Sequence, residues 1–217
     1  MRHFPIMLDL AGRLILVVGG GQIATRRVEG LLRAGARVRV VTIEACEELR
    51  TMAEERSELD LHVRPYREDD LAGAALVFSA TGDPVLQKEI AASATARGLW
   101  VNAADDPEHC SFLMPAILEH GPLTVSVSSG GESPALAVRT RDAIGQHLGP
   151  EYIAAAELLA QLRRELPAGE SRMQALMALL DQGLLEALRE EDSSHVEKLV
   201  EEARREVSHA CRPQESA

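Results

Sequence analysis

The sequence predicts an α/β protein: a parallel, doubly wound sheet domain, then a small α+β region, then a helical C-terminal domain. Three observations predict it. The apolar run Leu14-Ile-Leu-Val-Val18 breaks into three glycines and turns helical. Branched apolar runs then alternate with helix-period segments up to about residue 100, the pattern of parallel strands joined by crossover helices. From Pro150 onward the composition shifts to Ala, Leu, Glu and Arg, with apolar residues at helical spacing. The expected boundaries are 1–112 for the sheet domain, 113–149 for the α+β region, 150–208 for the helices and 209–217 for a flexible tail.

At 217 residues and 46% hydrophobic content, the chain is long enough for one ordinary domain plus an appendage with a real core. A net charge of -11 argues against a general nucleic-acid binder, which needs a basic surface to neutralise phosphates. An anion can still be met by a local cluster of donors. Cys46, Cys110 and Cys211 form no C-x-x-C pair, which suits a reducing compartment. The N-terminus lacks the apolar core of a signal peptide, and no apolar run reaches the ~20 residues that cross a bilayer. The expected setting is cytoplasmic, with neither membrane nor nucleic acid as partner.

Residues 4–10 are expected to form a short edge strand, Pro5 discouraging a central position, and 11–13 turn into the first sheet strand. After that strand, Gly19, Gly21 and Ala24 fit the G-x-G-x-x-G/A spacing of a Rossmann-like dinucleotide-binding turn. Gly19 permits the tight turn, Gly21 lets the backbone approach a pyrophosphate, and Ala24 lets the helix lie close on the strand. Amides of residues 20–23 would face the anion at the positive end of the helix dipole. Such turns also occur where nothing binds, but here a helix over 22–34 stops at Gly35 and a second strand follows over 37–42, the context the motif demands. The cofactor-facing candidates are Gly19, Gly21, Gln22 and Ile23, with Thr42, Ile43 and Glu44 at the end of the second strand. An Asp or Glu ordinarily ends that strand to hold the ribose hydroxyls. Here it ends Val40-Val41-Thr42, with Glu44 slightly late, so this position does not separate NAD from NADP. Arg39 reads as a solvated side chain.

A helix over 46–56, a strand over 59–64 and a helical turn over 67–71 lead to a strand over 75–80 that ends in Thr81-Gly82-Asp83-Pro84. A helix over 85–97, closed by Gly98, and a strand over 99–102 complete the sheet. Ligands of such sheets sit at the carboxyl ends of the strands. Three ends carry unusual residues: the glycine turn, Thr81 with Asp83, and Asn102 followed by Asp105 and Asp106. A single aspartate after a strand is commonly a helix cap or turn former; several converging on one crevice argue that at least one is functional. His109 and Cys110 lack any metal-ligand spacing, so no permanent metal is expected.

Residues 111–121 read as an apolar connector and 122–131 as a strand with Thr124, Ser126 and Ser128 on one face and Leu123, Val125 and Val127 on the other. In Ser128-Ser-Gly-Gly-Glu-Ser-Pro134, Ser133 and Pro134 make an N-cap and N1 pair for a helix over 135–148. The Gly-Gly turn exposes amides, which makes either a second anion site or a mere tight turn and cap. Beyond Pro150, Ile153, Leu158, Leu159, Leu162, Met173, Leu176, Met177 and Leu180 read as core, with breaks at 167–169 and Gly183 and a last helix over 194–207.

Five segments together carry a family resemblance: Leu16-Val-Val-Gly-Gly-Gly-Gln-Ile-Ala-Thr-Arg-Arg27, Ser79-Ala-Thr-Gly-Asp83, Val101-Asn-Ala-Ala-Asp105, Ser111-Phe-Leu-Met-Pro115 and Val125-Ser-Val-Ser-Ser-Gly-Gly-Glu-Ser-Pro134. The chain resembles the precorrin-2 dehydrogenases, the unit that also forms the N-terminal part of siroheme synthases. The likeness runs from residue 1 to about 165 and beyond that is mainly one of helical character. It implies NAD-dependent oxidation of precorrin-2 to sirohydrochlorin, followed in some members by ferrous iron insertion in the same cleft. It also implies a homodimer in which residues 112 to about 148 intertwine with the partner while a helical domain completes the cleft.

The catalytic aspartate of the family falls on Asp105, with Asn102 at the same strand end. A carboxylate there would take a proton as the hydride leaves, and in chelation would accept pyrrole protons and hold the iron transiently. Asp106 stands where some members have a small residue and reads as a turn or capping residue. The tetrapyrrole's carboxylates are expected to meet Asn102, Ser129, Gly130 and Ser133; Arg27, Arg139 and Arg141 are either further contacts or surface cations. Ser129 matches a family serine at the active site that is phosphorylated in some members. No uroporphyrinogen methyltransferase region follows residue 217, so that methylation is expected from another protein. Two other readings stand beside the enzyme. A nucleotide-sensing regulatory module would keep the acidic residue after strand two and has no need of the 128–134 loop. A degenerate relative retained for its dimer would show an empty cleft with NAD added.

Overall fold

The computed structural model describes residues 3–104 and 106–210, and the chain divides into two compact units, Met1–Met114 and Pro115–Ala217. The first runs β1 (Leu14–Val18), α1 (Gln22–Arg33), β2 (Arg37–Thr42), α2 (Glu47–Glu55), β3 (Leu59–Val63), a 3-10 turn (Glu68–Leu71), β4 (Leu76–Ser79), α3 (Pro84–Ala96) and β5 (Trp100–Ala103). The five strands pair in parallel in the order β3-β2-β1-β4-β5.

Both faces of this sheet are covered, which is why its strands read as nearly unbroken apolar runs. On one face Ile15, Val17, Val38, Val40 and Phe78 pack with Ala24, Val28 and Leu31 of α1 and Leu49 of α2. On the other, Leu16, Val18, Val41, Val77 and Val101 pack with Ile90, Ala91 and Ala94 of α3. Strand order reverses between β1 and β4, so the crevice beyond their carboxyl ends is where such a sheet binds ligands.

Two expectations in this unit are corrected. Residues 4–10 form no strand: Phe4 is 82% and Met7 71% exposed, and only Leu10 reaches the core. Pro5 removes a ladder donor, and alternating apolar residues make a strand only where a neighbour pairs with them. Arg39 is not merely solvated, since its Nη1 donates to the carbonyls of Asp70 at 3.2 Å and Ala72 at 3.4 Å.

Asp70 anchors the 3-10 turn. It is 5% exposed, accepts from Arg64 Nη1 at 2.9 Å and from the Arg67 N–H at 2.8 Å, and is forked by Arg64 Nη2. The Arg64 hydrogen bond, opposed by burial, holds its carboxyl below the usual carboxylate range. A depressed folded-state value stabilises the fold fully above the unfolded group's titration near pH ~4, and that stability is lost as pH falls further. Asp70→Asn is therefore expected to lower the urea midpoint at neutral pH and to converge on the wild type toward pH ~3. Equal midpoints at neutral pH would contradict this.

The second unit opens with the antiparallel hairpin β6 (Ala116–His120) and β7 (Leu123–Val127), register Ala116↔Val127 to His120↔Leu123. Gly121, at φ +57°, supplies the positive φ that a two-residue hairpin loop favours. β6 corrects the connector expected over 111–121; its apolar residues fall on both faces, which hides the period of two. In β7 the alternation holds, with Leu123, Val125 and Val127 half-buried and Thr124 and Ser126 exposed.

Then come α4 (Pro134–Gly145), which packs on the hairpin, α5 (Pro150–Glu165), α6 (Glu170–Asp181), α7 (Leu184–Arg189) and α8 (Ser193–Ala210). The helical core is built on Ala155, Leu162, Ala175, Leu179, Leu184, Leu199, Val200, Ala203 and Val207. Met173 and Met177, expected in it, are 58% and 52% exposed: α6 buries the neighbouring stripe of Ala175 and Leu179 instead. Among the described residues no helix is long and apolar enough to cross a membrane.

Candidate functional site

The glycine turn is shaped by close approach. Gly19 has φ +130°, its N–H donates to the Val41 carbonyl at 2.9 Å, and a Cβ there would collide with the Ala80 carbonyl. The end of β1 is thus wedged between the ends of β2 and β4. Gly20, which the spacing rule leaves free, is equally constrained: a Cβ would strike the Glu44 carbonyl and lie 2.6 Å from Thr42 Oγ1. The only sequence signal for it was a third consecutive glycine. Around Gly21 the reverse holds, because nothing lies within 4 Å of a Cβ built there.

Gly21 occupies the N-cap of α1, with no side-chain cap and no acidic residue in the first turn. First-turn amides have no partner inside a helix, so the positive end of α1, at Gln22 and Ile23, is left to an outside anion. Ala24 is fully buried against the sheet, as the spacing requires. Ile23 is half exposed, and the Gln22 side chain donates to Glu48 at 2.9 Å.

At the end of β2 the expected residues divide. Thr42 is 7% exposed, its hydroxyl donating to the Glu44 carbonyl at 2.7 Å and accepting the Glu44 N–H at 3.3 Å, so it braces the loop. Ile43 and Glu44 are exposed. The loop is tied to the glycine turn by the Cys46 N–H, which donates to the Gly20 carbonyl at 2.9 Å, and by contact of Thr25 Oγ1 with Cys46 Sγ at 3.2 Å.

At the end of β4, Thr81 and Asp83 are occupied locally. Asp83 Oδ1 accepts the N–H groups of Val85 at 2.9 Å and Leu86 at 3.3 Å, capping α3, and Thr81 Oγ1 accepts the Asp83 N–H at 3.3 Å. Asp83→Ala is expected to cost about 1 kcal/mol of unfolding free energy, the worth of such a cap, measurable by urea titration. No loss would show that the cap contributes nothing.

The loop after β5 is pinned by Asn102 and by two residues, Cys110 and Ser111, whose structural part sequence reasoning passed over. The Ala103 N–H reaches Cys110 Sγ at 3.2 Å, the thiol lies 3.2 Å from the Ala103 carbonyl, and burial pushes its pKa up. Ser111 Oγ accepts the Val101 N–H at 2.6 Å. Asn102 donates through Nδ2 to the Phe112 carbonyl at 2.9 Å. The Asp106 carboxylate, 2.8 Å from His109 Nδ1, is held below the usual range by that hydrogen bond. Asp105 lies outside the described residues. Its neighbours are fixed: the Ala104 N–H donates to the Ser79 carbonyl at 2.8 Å and the Asp106 N–H to Ala103 at 3.4 Å. Among the described residues no group of three or more His, Cys, Asp or Glu side chains is gathered as a metal would require.

In the second unit Ser133 stands at the N-cap of α4 with Pro134 at N1, as expected, but its side chain makes no cap bond. Ser129 does related work instead, its hydroxyl accepting the Ser133 N–H at 2.9 Å, while the Gly130 N–H donates to Ser128 Oγ at 3.1 Å. Arg141 pairs with Asp142 at 2.9 Å, and Arg139 is exposed.

Residues 6–116 match the model of an NAD(P)-binding family, and residues 120–147 match one described as sirohaem biosynthesis protein central. The chain is 40% identical over 166 residues to the siroheme synthase of Pseudomonas paraeruginosa, covering 76% of this chain and 36% of that protein. It is 36% identical over 174 residues to the siroheme synthase of Nitrosomonas eutropha, covering 80% and 37%. It thus spans little more than a third of the length of these relatives. The solved structure of SirC, described as a precorrin-2 dehydrogenase, superposes with a TM-score of 0.76 at 26% identity, over 94% of this chain and 100% of that one. The resemblance expected from the five sequence segments is borne out.

Proposed function

The chain belongs to the NAD(P)-binding family, and from that premise we propose that it oxidises precorrin-2 to sirohydrochlorin, with NAD as hydride acceptor, in siroheme biosynthesis. The observation that carries the dinucleotide is the open space at Gly21 over an uncapped helix start, a cradle that a Cβ would fill. The substrate rests on the likeness to SirC over 94% of the chain and on the siroheme synthases.

In this reading the amides of Gln22 and Ile23 receive the pyrophosphate. Gly19 shapes that turn, and Thr42 braces the loop that presents Ile43 and Glu44 to the ribose. Glu44 favours NAD because a carboxylate accepts the ribose hydroxyls and repels a 2′-phosphate. When bound, NAD supplies the acceptor for the hydride. Asp105 takes the substrate proton as general base. Thr81 and Asp83 shape the neighbouring strand end. Asn102 offers its carboxamide oxygen to the substrate, its nitrogen being committed to Phe112. The hydroxyls of Ser129 and Ser133 and the open turn at Gly130 meet substrate carboxylates.

The working form is a homodimer, joined through residues 113–149, in a cytoplasmic setting. Some relatives' second reaction, entry of ferrous iron as a substrate, would use Asp105 again. The test is a paired assay: NADH formation on adding precorrin-2, then siroheme formation from sirohydrochlorin and ferrous iron. NADH formation in step with sirohydrochlorin is expected; its absence with NAD bound would overturn the dehydrogenase. Absence of siroheme alone would confine the chain to oxidation.

A further inference from the structure

Arg27 is a cation that no carboxylate answers among the described residues. Ala24, Val28 and Leu31 form the buried stripe of α1, and Thr25 turns from it toward Cys46 at the start of α2. Arg27 takes the opposite flank, its guanidinium carbon 5.9 Å from the centroid of the Phe78 ring on β4. Phe78 is 3% exposed, meets Phe112 edge-on at 5.4 Å, and is the register partner of Asn102 on β5. The guanidinium therefore lies on an aromatic floor beside the ends of β4 and β5, away from the β2 end that carries Ile43 and Glu44.

Half-buried cations are ordinarily paired, because desolvation is costly. Arg64, Arg97, Arg141, Arg189, Arg204 and Arg205 each sit within salt-bridge distance of a carboxylate. Among the described residues Arg27 has no such carboxylate, in a chain where Asp and Glu outnumber Lys and Arg by 34 to 23. Burial also lowers its pKa. A ring face steadies the guanidinium plane and leaves its fork of N–H groups free for a bidentate acceptor.

We propose that Arg27 is a specificity-determining residue that receives one carboxylate of the polyacidic macrocycle. This rests on the precorrin-2 reading above. The half-buried setting over a ring face lets the guanidinium select a carboxylate by geometry as well as by charge.

The test uses the full chain with Arg27→Met and Arg27→Lys. Five quantities are read: kcat and KM for precorrin-2, Kd for NAD, Kd for uroporphyrin III as an unreactive octacarboxylate probe, and oligomeric state, with circular dichroism and the thermal midpoint as fold controls. Arg27→Met is expected to raise the precorrin-2 KM and the probe Kd by roughly tenfold or more, with NAD Kd within about twofold and an unchanged assembly. Arg27→Lys should fall between, keeping the charge but losing the planar fork. An unchanged probe Kd in a folded Arg27→Met overturns the assignment. So does a parallel rise in NAD Kd, which would give the cation to the dinucleotide, or an altered oligomeric state, which would give it to a subunit contact. If the wild type neither forms NADH with precorrin-2 nor binds the probe, the functional reading fails first and this assignment with it.

Discussion

Alanine at position 105 is expected to lower precorrin-2-dependent NADH formation by roughly 10²–10⁴-fold, while NAD affinity stays within about twofold of the wild type. Removing a proton acceptor that acts only as the C–H bond breaks changes the transition state and leaves ground-state binding alone. Asp105→Asn is the sharper control, since it keeps the shape and a polar side chain but cannot take the proton. Both variants should show the same loss in kcat. Turnover retained by Asp105→Asn would remove the carboxylate from the mechanism.

The second large effect separates two glycines that stand side by side. Gly21→Val is expected to weaken NAD binding by roughly 100-fold or more, about 3 kcal/mol, and to change the unfolding free energy by no more than about 1 kcal/mol. Gly21 has φ -91°, which any residue adopts, and open space beyond its Cβ position, so the substitution spares the chain and fills the place proposed for the pyrophosphate. Gly20→Ala should behave differently. Its Cβ meets a main-chain carbonyl and Thr42, neither a flexible side-chain tip, so the unliganded protein itself is destabilised, by about 1–3 kcal/mol. Calorimetric titration and urea unfolding of both proteins decide the matter. Unchanged NAD affinity in Gly21→Val would contradict the proposed cradle.

Much of the architecture could be read from the residues because it depends on local, repeated signals. The five parallel strands announce themselves as buried runs, and α1 and α3 stop near Gly35 and Gly98, where φ is +74° and +70°. What escaped depends on partners distant in sequence. β6 is a strand because β7 pairs with it, and its two-faced apolarity gave no period to detect. Residues 4–10 have the alternation of a strand but no pairing. On α6, Met173 and Met177 repeat at helical spacing as well as Ala175 and Leu179 do; which stripe is buried is settled by the helices it meets.

The candidate site shows the same division. Gly19 and Gly21 follow from the turn's own geometry. Thr42, Asp83 and Asn102 were singled out as polar residues at strand ends, yet a hydroxyl, carboxylate or amide suited to a ligand is equally suited to a neighbouring backbone group, and here each is engaged by one. Cys110 was invisible as a structural part because its value lies in two contacts with Ala103, seven residues earlier.

The bonds that lock the β2 loop to the glycine turn use main-chain atoms, the Thr42 hydroxyl and the Thr25–Cys46 side-chain contact: Gly19 to Val41, Cys46 to Gly20, Thr42 to Glu44, Thr25 to Cys46. None draws on the side chains of Ile43 or Glu44. Those two positions are thus free to mutate without loosening the frame beneath them, so if they face the ribose as proposed, coenzyme preference in this scaffold can evolve by single exchanges while the glycine turn stays intact.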